Sequence, residues 1–112
     1  MTLVEFFDDV PIDNMVSCLA IKPGKIIFVG ENKIMKKREP AYLRLMEKYS
    51  MQVVLEYKAI NKNSIEQIVE SLTEIVESEE ECTFDLTGGA DLVLVAMGIV
   101  YERYRQEGKI QM

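Results

Sequence analysis

Cys82-Thr83-Phe84-Asp85-Leu86-Thr87-Gly88-Gly89-Ala90-Asp91-Leu92-Val93-Leu94-Val95 is the stretch on which the fold turns. A short β-branched and aromatic run over residues 82–86 gives way to two consecutive glycines, and an apolar run starts directly behind them. That order predicts a strand, a tight turn and a buried helix. The helix is apolar on nearly every side over residues 92–101 and returns to charge over 102–107, so it starts deep in the protein and ends in water. A sheet covers one stripe of a helix. It cannot cover Leu92, Val93, Leu94, Val95, Met97, Ile99, Val100 and Tyr101 together, so a second surface is expected on this helix, with Val93 among the outward residues.

Further from this stretch the alternation of strand and helix repeats, which is the pattern of βαβ units closing a parallel sheet. Residues 2–7 form a first strand, residues 25–29 a second between Pro23-Gly24 and Gly30, and residues 52–60 a third. Ile12, Met15, Val16 and Leu19 recur at helical spacing, with Pro11 suited to a first helical turn. A second helix carries Tyr42, Leu45, Met46 and Tyr49 and is expected to begin just after Pro40, behind a solvated basic approach, Lys36-Lys37-Arg38. The third is the clearest: Ile65, Ile68, Val69, Leu72, Ile75 and Val76 keep one stripe, and Ser64 with Gln67 forms a candidate capping box. Its Glu-rich face should lie in water. Gly108-Lys109-Ile110-Gln111-Met112 reads as a helix-ending glycine and a fifth strand cut short.

The fold class that follows is α/β: a Rossmann-like three-layer sandwich with a mostly parallel sheet, truncated after helix four. At 112 residues, 48% of them hydrophobic, residues 1–112 make one domain with a substantial core, expected to be the N-terminal fragment of a longer protein. Thirteen Lys and Arg against nineteen Asp and Glu leave a net charge of −6, which argues against generic binding of a nucleic-acid duplex. No histidine is present, and Cys18 and Cys82 are the two cysteines. Zinc centres and histidine-dependent triads are thereby excluded, and no metal, cofactor or catalytic residue is expected of this domain. The opening Met1-Thr2-Leu3-Val4-Glu5 lacks the basic start of a signal peptide. The longest apolar run falls short of the ~18–20 residues that span a bilayer, so a cytoplasmic chain with reduced, structural cysteines and no membrane partner is expected.

In open α/β sheets ligands bind beyond the carboxyl ends of the strands, where the strand order reverses. Here that point lies between strands one and four. Thr87-Gly88-Gly89 after strand four permits close approach of a ligand, and the N–H groups of the following helix start favour an anion such as phosphate. The sequence is neither a Walker loop nor a dinucleotide fingerprint, and two glycines at a tight strand-to-helix turn serve the turn alone more often than a ligand. Asp85 is an ionisable residue in a central strand, expected either to face a site or to cap its own turn. Across the switch point stand Asp8, Asp9, Ile12, Asp13 and Asn14, of which Asp9 or Asp13 is suited to N-capping. Asp8, Asp9 and Asp91 repel phosphate unless they meet ribose hydroxyls or base amines.

The helix opening around Pro11-Ile12, Lys22-Pro23 before a strand ending Val29-Gly30, and above all Asp85-Leu86-Thr87-Gly88-Gly89 before an apolar helix resemble the CARF group, the CRISPR-associated Rossmann-fold domains. Within it they are similar to bacterial proteins that join such a domain to a C-terminal restriction-type nuclease domain. The resemblance spans essentially the whole chain, and Thr-Gly-Gly is its most specific part. It implies a homodimer that binds cyclic oligoadenylate across the pair, through loops after strands one and four. Relatives commonly carry Asn at the position of Asp85 and Thr-Lys at those of Ala90-Asp91, and this chain departs at all three. The expectation is a sensory domain for an anionic nucleotide second messenger that regulates an appended nuclease effector in antiviral defence. Its ligand-binding candidates are Asp8, Asp9, Asn14, Asp85, Thr87, Gly88, Gly89 and Asp91. The alternative is a dimerisation module whose ligand site has decayed. An enzyme that cleaves the messenger is the third possibility and lacks a basic residue at the cradle.

Overall fold

The central strands are buried almost throughout, and their alternate residues feed two separate cores on the two faces of the sheet. Residues 1–7, 18–86 and 90–111 are described by the computed structural model. Among them β1 is Thr2–Phe6, β2 Lys25–Gly30, α1 Asn32–Lys48, β3 Val54–Ala59, α2 Ile65–Ser78, β4 Cys82–Phe84, α3 Asp91–Tyr104 and β5 Ile110–Gln111, with a 3-10 turn at Arg105–Glu107. The five strands pair in the order β3-β2-β1-β4-β5, every neighbouring pair parallel. This is a Rossmann-like sheet with helices on both faces. Val4, Ile27, Val29, Cys82, Phe84 and Ile110 pack under α2 and α3, whereas Leu3, Phe7, Ile26 and Phe28 pack with Cys18 and the α1 residues Met35, Tyr42 and Met46. Tyr42 closes the second layer, its ring 4.3 Å from Phe7 and 5.1 Å from Phe28.

The strands lie where alternation predicts them, with ends shifted by one to two residues. β4 stops at Phe84, and Leu86 is exposed. The turn into β5 is as expected: Gly108 takes a left-handed φ of 72°, which a Cβ disfavours, and Ile110 then pairs with Cys82. Ser64 Oγ accepts the Gln67 N–H at 3.4 Å, one half of the anticipated capping box, and Glu66, Glu70, Glu74 and Glu77 line the wet side of α2. Of the predicted first helix, Leu19 lies in the helical residues 18–21 and is exposed, while Ile12, Met15 and Val16 lie outside the described residues.

Two expectations are corrected. The second helix begins at Asn32 and not after Pro40, so Lys36-Lys37-Arg38 belongs to it. Pro40 removes a hydrogen bond to the carbonyl of Lys36, yet both residues are exposed, so that carbonyl is on the solvent side, while Met35, Tyr42 and Met46 hold the buried stripe across the break. The second correction concerns α3, the fourth helix of the sequence reading. Val93 is fully buried within the chain together with Ala96, Met97 and Val100, and the outward apolar residues are Val95 (51% exposed) and Ile99 (37%). Helical spacing from Val93 reaches Met97 and Val100, so the buried stripe is set by those three. Among the described residues no helix is long and apolar enough to cross a membrane.

Candidate functional site

The strand order reverses at β1, which has β2 on one side and β4 on the other, and the residues that follow β1 and β4 in sequence are the two predicted cradle segments. Asp8, Asp9, Asn14, Thr87, Gly88 and Gly89 lie outside the described residues. Asp85 and Asp91 lie within them. Asp85 sits one residue past β4, 8% exposed, and its N–H donates to the Val4 carbonyl at 2.9 Å, which carries the β1–β4 ladder one step further. Asp91 opens α3 on the exposed side, and the N-cap Ala90 supplies no side-chain acceptor to the helix start. A carboxylate there already complements the positive end of the helix dipole.

Glu5 is the residue the sequence reading missed. It was visible as a charge inside Thr2-Leu3-Val4-Glu5-Phe6-Phe7, an otherwise apolar central strand, where period two assigns it to the inward face with Leu3 and Phe7. In the structure it is 1% exposed. Leu3 stands opposite Thr83 and Val4 opposite Phe84, so the next step of the register sets Glu5 beside Asp85 on one face of the sheet. Burial, then a hydrogen bond from the acid to Asp85 and the charge of Asp85, push the Glu5 carboxyl up to about 9; the Cys18 hydrogen bond opposes them. With both carboxyls ionised no proton lies between them, and Glu5 Oε1 is left buried without a partner. A proton on Glu5 supplies the missing donor, so the two acids share one proton at neutral pH.

Cys18, from the helical residues 18–21, completes the cluster: its thiol donates to Glu5 Oε2 at 3.6 Å. Burial, with the negative field of Glu5, raises the thiol well above its ordinary value, so Cys18 is a hydrogen-bond donor here and not a nucleophile. Both cysteines are buried free thiols. Among the described residues no group of three or more His, Cys, Asp or Glu is arranged to hold a metal ion.

At the same carboxyl edge, beyond β2 and β3, lies an open depression of about 470 Å³ between the start of α1 and the approach to α2. Asn32, Lys33, Asn61, Lys62, Asn63 and Gln67 line it, and Lys62 pairs with Glu31 at 3.1 Å. The sequence reading found no basic residue near the cradle. Folding brings Lys33, at the start of α1, and Lys62, in the approach to α2, to this edge from positions 29 residues apart, a proximity that local spacing does not reveal.

No protein-family model matches the sequence, and no curated protein does. Among solved structures the chain is similar to Can2 from Sulfobacillus thermosulfidooxidans, determined in complex with cyclic tetra-adenylate (cA4). The TM-score is 0.76 and the identity 21%, over 94% of this chain. The chain spans 29% of the length of that protein, and the likeness is one of fold: a Rossmann-like domain of the kind found in Can2.

Proposed function

We propose that this domain senses an anionic nucleotide second messenger of the cyclic oligoadenylate class, works as a homodimer, and regulates an appended C-terminal nuclease effector in antiviral defence. The observation that carries this reading is the reversal of strand order at β1, the position at which open α/β sheets take their ligands, with the buried polar cluster of Glu5, Asp85 and Cys18 near the carboxyl ends of β1 and β4. The fold likeness to a protein solved with cyclic tetra-adenylate supports the ligand class. In this reading the backbone N–H groups of Thr87, Gly88 and Gly89 hold phosphate. Asn14 and Asp85 orient sugar or base, and Asp8, Asp9 and Asp91 meet hydroxyls or base amines. Lys33 and Lys62 supply positive charge further along the same edge. The dimer forms through the face of α3 that exposes Val95 and Ile99, so that symmetric cradles meet a symmetric ligand.

A ligand that prefers the native state raises the melting temperature, by about 2.7 kcal/mol of stabilisation at a hundredfold excess over Kd. Titration with cyclic tetra-adenylate and its three- and six-membered homologues should show such a rise for one ring size. No rise with any of them refutes the reading. One observation favours the alternative of a dimerisation module with a decayed site: Asp91 already occupies the helix start that a phosphate would use. Asp91→Lys discriminates, because a live site gains affinity from the added charge whereas a decayed site gains none.

A further inference from the structure

We propose that Glu5 is a ligand-site residue acting through its proton: the Glu5–Asp85 pair accepts the anionic ligand only while it carries a single negative charge, so binding is coupled to retention of one proton. The inference rests on the reading above and adds to it a residue and a condition. Three observations carry it. Glu5 is 1% exposed, and its Oε1 lacks a partner when both acids are ionised. The register sets it beside Asp85, the last buried residue before the predicted cradle. Both carboxyls lie at the strand ends from which residues 8–17 and 86–90 depart, so a second negative charge there adds repulsion where an anion would sit.

The groups that face Glu5 make the proton specific to this pair. Among the described residues, Asp85 faces it from beyond β4 and Cys18 from residues 18–21. β2 offers Ile26 and Phe28 to the same layer, and α1 offers Met35, Tyr42 and Met46. The side chains that shift the Glu5 carboxyl are Asp85 and Cys18, and burial keeps the Cys18 thiol protonated. A proton on Glu5 removes one of the two charges that this buried pair would otherwise carry.

The test is calorimetric titration of cyclic tetra-adenylate at pH 7.5 and 9.5 with wild type, Glu5→Gln and Asp85→Asn, circular dichroism confirming the fold at each pH. Glu5 holds its proton up to about pH 9. At pH 9.5 roughly a quarter of the wild type is competent, and affinity should be about fourfold weaker than at pH 7.5. Glu5→Gln keeps the neutral donor and should bind with equal affinity at both. Asp85→Asn leaves Glu5 as the one ionisable carboxyl of the pair, so two negative charges never meet there and the weakening at pH 9.5 should disappear. It also keeps the test open if Glu5→Gln fails to fold. Wild-type binding that is unchanged between the two pH values, or a Glu5→Gln profile that falls as steeply as wild type, overturns this inference and leaves the sensor reading standing. Absence of binding by all three proteins at both pH values overturns the sensor reading itself, and this one with it.

Discussion

Glu5→Gln should make the domain more stable at pH 8 and less stable at pH 4.5, and the crossing of the two profiles follows from the burial of one carboxyl. Unfolded, Glu5 releases its proton near pH 4.5; folded, it holds the proton to about pH 9. Folding therefore takes up a proton throughout that interval. The contribution of this group is intact below pH 4.5, declines as pH rises, and levels off above about 9. The decline is about 1.4 kcal/mol per pH unit, so at pH 7 it has reached about 3 kcal/mol and at pH 8 about 5. Glutamine avoids it entirely. Its amide still donates to Asp85, but its second N–H enters an acid pocket built for one proton, at roughly 1–2 kcal/mol. The net expectation is a variant about 1–2 kcal/mol less stable at pH 4.5 and about 3 kcal/mol more stable at pH 8. Near 4 °C per kcal/mol, the second figure is a rise of about 12 °C. Urea unfolding of both proteins at half-unit steps from pH 4.5 to 8 isolates Glu5, because every other titrating group is common to the two. Parallel profiles would mean that Glu5 ionises as an ordinary carboxylate, and the shared proton would be refuted.

Val95→Glu should dissociate the proposed dimer while leaving the monomer folded, since Val95 is half exposed within the chain; sedimentation that still shows a dimer at micromolar concentration removes α3 from the interface. Val93→Glu, by contrast, places a charge in the core of α2 and α3 and should unfold the domain, by several kcal/mol in a denaturant melt. Pro40→Ala restores a hydrogen bond to Lys36 in the middle of α1 and should stabilise the domain by about 1–2 kcal/mol, once the stiffness that proline gives the unfolded chain is deducted. A melting temperature lower than wild type contradicts it. Gly88→Val or Gly89→Val should abolish binding of cyclic tetra-adenylate in a folded protein, and retained affinity would assign the two glycines to the turn alone.

Local pattern suffices where burial is periodic along one element. The stripe Ile68, Leu72, Ile75, Val76 of α2 and the switch point between β1 and β4 were both legible, because each follows from spacing and from the strand–helix alternation. The start of α1 was not, since proline ends helices by local rules and the packing of Met35 and Tyr42 against the sheet overrides them. Nor did the apolar run of α3 tell Val93 from Val95; two valines two residues apart differ only in which side the sheet takes. Asp85 drew notice as a charge in a strand, but its partner Glu5 stands at the other end of the chain, and no window of sequence contains both.

The pairing of the strand ends also dictates an order of assembly. Thr2 faces Lys25 across one side of β1 and Cys82 across the other, so the second contact closes a loop more than three times as long and costs about 1 kcal/mol more in chain entropy. The half-sheet β1–β2–β3 with α1 can gather first, whereas β4 must wait for nearly the whole chain. Until it arrives, one edge of β1 stays unpaired and Val4 lacks part of its cover. On the ribosome this leaves an apolar strand open to wrong partners until Phe84 has emerged. The docking of β4 completes the burial of Glu5 and brings Asp85 beside it, and both favour the protonated acid, so the last strand pairing of the core is coupled to uptake of a proton.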